Sequence, residues 1–228
     1  MQQPGFSPFG DIDTYQTNHA VPGRIILAGW RFNSGFLRVV IQSSLKAKYG
    51  TYTGRDWVRS SQRILKQLEA VGVRFDITGL CHLADTTGPS VIIGNHMSTL
   101  ETMVLPCLVQ PRCETTFVVK QELLSYPFFK HVLGARNPIQ IGRENPREDL
   151  RKVLLEGQAQ LQDGTSVILF PQRMGTSQFH PEEFNLLGVK LAQRANVPVI
   201  PVALAIDAWG NCHNPSCIGS GRQFPGYR

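Results

Sequence analysis

From residue 73 onward, short apolar runs alternate with longer stretches of helical periodicity. Residues 73–77, 90–93, 115–119, 138–141 and 166–170 read as strands, each a brief apolar run bounded by turn-forming or polar residues. Residues 197–205 read as one more strand. Pro198 and Pro201 interrupt it, and because proline cannot donate to a ladder they predict an edge or a bulge. Helices are predicted over 98–109, from Asn145 to about Leu161, and over 182–195. Asn145-Pro146 pairs a capping side chain with a proline at the first helical position. This alternation predicts an α/β fold, with a mixed, largely parallel sheet flanked by helices.

The pattern differs upstream. Residues 24–49 are apolar around most of a helical circumference, with Arg24, Arg31 and Arg38 recurring every seven positions, and Gly29 and Gly35 lower the helix propensity. Trp57, Ser61, Ile64, Leu65, Leu68 and Val71 mark one face of a second helix, stopped at Gly72. Residues 1–23, rich in Pro and Gly, read as a loose arm, and residues 210–228 have no apolar period. The chain therefore divides into an arm (1–23), an amphipathic basic helical hairpin (24–72), an α/β domain (73–209) and an irregular tail (210–228).

Charge sharpens the reading of the hairpin. The formal charge is +6, but between Arg24 and Arg74 ten basic residues face only Asp56 and Glu69, a local excess of +8. Such a stretch points to a polyanion. A nucleic acid is a poor fit, because the arginines are threaded through apolar sequence and no nucleic-acid motif is present. An anionic membrane face fits better: long cationic side chains can reach lipid phosphates while the apolar face lies in the interface. A hairpin packed on the main core gives the same periodicity, so both readings stand. No apolar run approaches the roughly 18–20 residues of a membrane span, which predicts peripheral or monotopic attachment at the cytoplasmic face. Five cysteines at irregular spacing, without a signal-peptide pattern, predict reduced thiols. Cys212, His213 and Cys217 match no standard zinc spacing, so no metal is predicted.

The candidate chemistry centres on residues 91–101. An apolar strand breaks at Gly94, His96 sits on the following turn, and Glu101 comes five residues later. On one helix a five-residue separation would turn two side chains roughly 140° apart, so the pair can meet only across the turn. A carboxylate on an imidazole makes a general base. Ser98-x-x-Glu101 also fits a helix capping box, in which Glu101 would only return a hydrogen bond to the helix start. His96, Lys120, Arg143 and Pro171 all fall at carboxyl ends of predicted strands, where α/β sheets bind ligands.

These blocks resemble the glycerol-phosphate and lysophosphatidate acyltransferase family. Asn95-His96-x-Ser98-x-x-Glu101 is similar to its first block, usually NHxSxxD, with glutamate for aspartate. Lys120 and the run Ile139-Gln140-Ile141-Gly142-Arg143 resemble the second block, Phe170-Pro171-Gln172 the start of the third, usually FPEGTR, and residues 197–202 the fourth. The resemblance implies acyl transfer from an acyl thioester, on coenzyme A or an acyl carrier protein, to the free hydroxyl of a lysophospholipid. His96 is then the base and Glu101 its orienting carboxylate. Asn95, Ser98, Lys120, Arg143, Pro171, Gln172, Arg173 and Thr176 line the substrate, and no metal or prosthetic group is needed. No G-x-S-x-G elbow occurs. The third block departs from the pattern: Gln172 replaces a glutamate, and Arg173-Met174-Gly175 stand where Gly-Thr-Arg is expected. With a tail that reads as truncated, this keeps open a catalytically impaired, lipid-binding relative.

Overall fold

The computed structural model describes residues 13–17, 28–127, 129–142, 144–172 and 184–206. The first element is a short strand, β1 (Tyr15–Gln16), antiparallel to β2 (Asp76–Ile77). Two expectations change here. Residues 15–17 are not loose, and the predicted strand 73–77 shrinks to a two-residue partner of β1 outside the main sheet. The reason is a contact distant in sequence. Tyr15 and Thr17 both donate to the Glu69 carboxylate at 2.7 Å, and Glu69 is only 7% exposed. A buried carboxylate needs such donors.

Two helices follow as the hairpin pattern predicted, α1 (Ala28–Lys48) and α2 (Gly54–Ala70). Thr53 and Asp56 form a reciprocal capping box at the start of α2, and Lys46 reaches Asp56 at 2.7 Å to join the helix ends. After α3 (Cys81–Ala84) come β3 (Val91–Gly94), α4 (Leu100–Val109) and β4 (Thr115–Lys120). The chain continues through α5 (Phe129–Gly134), β5 (Ile139–Ile141), α6 (Pro146–Gln162), β6 (Ser166–Leu169), α7 (Leu187–Ala195) and β7 (Val199–Val202). Asn145 caps α6 through its side chain, as predicted. The predicted helix starts at 98 and 182 move inward to Leu100 and, among the described residues, Leu187.

The five main strands form one parallel sheet in the order β5-β4-β6-β3-β7, and the proline-bearing strand is indeed at an edge. Side chains alternate between its two faces. Ile92, Phe117, Ile168 and Ile200 pack toward α1, α2 and α4. Val91, Ile139, Val167 and Leu169 pack toward α6 and α7. The result is a three-layer stack with both sheet faces covered, which is why β3 and β6 are nearly continuous Val, Ile and Leu.

Helix α4 connects the sheet to the hairpin. Pro106 removes one rung of its hydrogen-bond ladder, and Ser61 of α2 bridges the adjoining rung, donating to Met103 O at 2.7 Å and accepting from Cys107 N at 3.0 Å. The apolar face of α2 is therefore occupied by protein. Helix α1 divides its apolar residues: Phe32, Val39 and Val40 are buried, whereas Trp30, Leu37, Ile41 and Leu45 form an exposed outer stripe flanked by exposed Arg31 and Arg38. No helix among the described residues is long and apolar enough to cross a membrane.

Candidate active site

Because all five strands are parallel, their carboxyl ends share one edge of the sheet. The order of ends along that edge is Gly142, Lys120, Phe170-Pro171-Gln172, Asn95-His96 and the chain after Val202. The two central ends belong to β6 and β3, and both lead into turns that pack on each other.

The β3–α4 turn is held from three sides. On the β7 side, the Asn95 side chain copies a strand pairing: its Nδ2 donates to Leu204 O at 2.8 Å and its Oδ1 accepts from Leu204 N at 2.7 Å. On the β6 side, the His96 backbone N–H donates to Gln172 Oε1 at 2.7 Å. Below the turn lies Glu101, whose carboxylate accepts from Met97 N at 2.8 Å, from Ser98 N at 2.9 and 3.0 Å, and from Ser98 Oγ at 2.9 Å. Ser98 Oγ in turn accepts from Leu100 N at 3.1 Å.

The remaining donor to Glu101 is the imidazole itself. His96 Nδ1 lies 2.6 Å from Glu101 Oε1. A carboxylate only accepts, so Nδ1 carries the proton and the lone pair belongs to Nε2. Burial pushes the Glu101 carboxyl up; the hydrogen bonds from His96 and Ser98 outweigh it and hold the group below the ordinary carboxylate range. Its place in the first turn of α4 adds the favourable end of a helix dipole. The carboxylate is fully buried, while a quarter of the His96 side chain remains exposed. The two readings of Glu101 thus coincide. It returns a hydrogen bond to the helix start and, through the same atoms, fixes the imidazole.

Sequence reasoning left out Phe170 as a site residue. Its ring stacks on His96, centroids 4.9 Å apart and planes 21° from parallel. Phe117 stacks behind it at 6.3 Å, and Trp57 of α2 meets Phe117 edge-on at 5.7 Å. A ladder of rings so connects the hairpin to the imidazole. Phe170 opens the third block, the one signal that could have singled it out.

The other predicted residues separate into groups. Asn95 and Ser98 are 5% and 1% exposed and turned to protein partners, so both build the turn. Pro171 is buried, its carbonyl accepting from Asn185 Nδ2. Lys120 ends β4, half-buried, and forms no ion pair with a described carboxylate. Arg143, Arg173 and Thr176 lie outside the described residues, as do Cys212, His213 and Cys217. Among the described residues the metal-ligand cluster is Cys81, His82 and Asp85, on the surface turn of α3 and apart from this site.

A carboxylate-held imidazole thus stands at the carboxyl edge of a parallel α/β sheet. Ser98 Oγ is committed to Glu101 and Leu100 N. Residues 74–205 match the family model described as Acyltransferase, and the chain belongs to that family of enzymes. It is 29% identical over 194 residues to the 1-acyl-sn-glycerol-3-phosphate acyltransferase of Pseudomonas aeruginosa, covering 84% of this chain and 72% of that one. The enzyme of the same name from Cocos nucifera is 26% identical over 117 residues, covering 50% of this chain and 37% of its own. The fold resembles the crystal structure of the 1-acyl-sn-glycerophosphate acyltransferase PlsC from Thermotoga maritima, with a TM-score of 0.50 and 15% identity, over 77% of this chain and 71% of that one.

Proposed function

We propose that this protein transfers a fatty acyl group from an acyl thioester, on coenzyme A or an acyl carrier protein, to the free hydroxyl of 1-acylglycerol-3-phosphate, forming phosphatidate. The observation that carries the reading is the 2.6 Å contact between His96 Nδ1 and Glu101, joined to the names of the relatives. His96 Nε2 takes the hydroxyl proton as the oxygen attacks the thioester carbonyl, forming the C–O bond. The tetrahedral intermediate collapses with loss of the C–S bond, and the imidazolium returns its proton to the departing thiolate. Glu101 keeps the tautomer and stabilises the imidazolium, the part a carboxylate plays in a serine-hydrolase triad.

Lys120, with Arg143 and Arg173, supplies the positive charge an acceptor phosphate needs; the arginines suit bidentate contact. No metal or prosthetic group has a part in this scheme. The enzyme works as a peripheral or monotopic protein on the cytoplasmic face of a membrane. The exposed stripe Trp30, Leu37, Ile41 and Leu45, flanked by Arg31 and Arg38, lies against anionic lipid.

The test is thiol release from acyl-CoA and from acyl carrier protein in the presence of lysophosphatidate, comparing the natural chain with His96→Ala. Turnover that depends on lysophosphatidate and falls at least a hundredfold in the variant supports the reading. Equal turnover by the variant removes His96 as the base. Liposome binding without transfer from either donor would instead identify a lipid-binding relative without catalysis.

A further inference from the structure

The register of β3 and β6 sets Ile93 level with Leu169. Three residues further along each chain, His96 is level with Gln172. The backbone ladder has ended by then, and side chains continue it on both flanks: Asn95 bonds both backbone groups of Leu204, and Gln172 Oε1 takes the His96 N–H. Two amides therefore set the height of the catalytic turn, each from a strand distant in sequence.

The two amides are not equally used. Asn95 employs both its donor and its acceptor. Gln172 is 3% exposed and employs only its oxygen; its Nε2 is buried with no hydrogen-bond partner among the described residues. A buried donor without an acceptor is a standing cost. The cradle asks Gln172 for an acceptor alone.

We infer that Gln172 is a positioning residue: its oxygen holds the His96 backbone level with the end of β6, so that the imidazole stays seated between Glu101 and Phe170. This rests on His96 being the base of the proposed acyl transfer. It gives Gln172 a part in the turn and not in substrate contact.

The test uses the full chain and its Gln172→Glu and Gln172→Ala variants. The His96 ring signals in NMR, assigned by their loss in His96→Gln, carry the ring-current shift of the stacked Phe170, and thiol release gives kcat and KM. Gln172→Ala should lower kcat at least tenfold with KM for lysophosphatidate within twofold and move the His96 ring signals, and Gln172→Glu, which keeps the accepting oxygen, should recover most of the kcat and the native signals. A Gln172→Ala variant that raises KM and keeps kcat overturns the inference, as do His96 signals unmoved in that variant. Signals that move in a protein that transfers no acyl group would sink the proposed function and leave the positioning role intact. Should Gln172→Ala fail to fold, Gln172→Ser takes its place with the same outcomes.

Discussion

His96 and Glu101, five residues apart, meet at 2.6 Å because one stands on the turn before α4 and the other in its first turn. The carboxylate reaches back under the chain and gathers two backbone N–H groups, the Ser98 hydroxyl and the imidazole. Glu101→Gln keeps the shape but presents an NH2 group to one of those donors, which favours the wrong imidazole tautomer. We expect kcat to fall by about 10²–10⁴ with KM little changed, the range typical of a disabled general base, as read by steady-state thiol release.

The same carboxylate links stability to pH. Its ordinary value is 4.5, and the folded protein holds it lower. The unfolded chain therefore takes up the proton first as pH falls, and native stability drops. The contribution is complete above the unfolded value and is lost as pH falls below 4.5 through the folded value. Denaturant titrations from pH 6 to pH 3 should show a shallower acid loss in Glu101→Gln than in the natural chain.

Ser61 tests the bridged rung of α4. It is 2% exposed and serves both Met103 O and Cys107 N. Ser61→Ala leaves both buried groups unpaired and should cost about 1–3 kcal/mol. Ser61→Thr, which keeps the hydroxyl, should lose less; thermal melts of the two variants make the comparison.

Gly94 sits under the ring that stacks on His96. A Cβ there would lie 3.2 Å from Phe170 Cε1 and 3.5 Å from the carbonyl oxygen of Val202. The backbone side is fixed by the β3–β7 ladder, so the ring must yield. Gly94→Ala should lower kcat several-fold with a change in melting temperature of only a few degrees, and a larger residue should do both more severely.

The outer stripe of α1 makes a separate prediction about lipid. Trp30 is 75% and Leu37 50% exposed, and neither supports the core. Replacing both with Ser should leave the melting temperature unchanged and weaken co-sedimentation with anionic vesicles, roughly tenfold per residue if each buries most of its apolar surface in the interface.

Much of this architecture was legible in the chain. Short Val and Ile runs bounded by turns, Asn145-Pro146, and the prolines of the last strand are local signals, and apart from residues 73–77 they produced the expected elements because local geometry decides them. The identity of His96, its distance in sequence from Glu101, and the carboxyl-end placement of Lys120 and Pro171 were legible for the same reason. What sequence could not show is anything settled between strands far apart in the chain. The pairing of Tyr15–Gln16 with Asp76–Ile77 answers a carboxylate more than fifty residues from Tyr15. Asn95 and Ser98 find their partners, Leu204 and Glu101, only in the fold. The turn at His96 is level with Gln172 because β3 and β6 are neighbours in register, a relation that exists only once the sheet has formed. Sequence placed an imidazole and a carboxylate on one turn; the parallel sheet decided how rigidly, and by which neighbours, that turn is held.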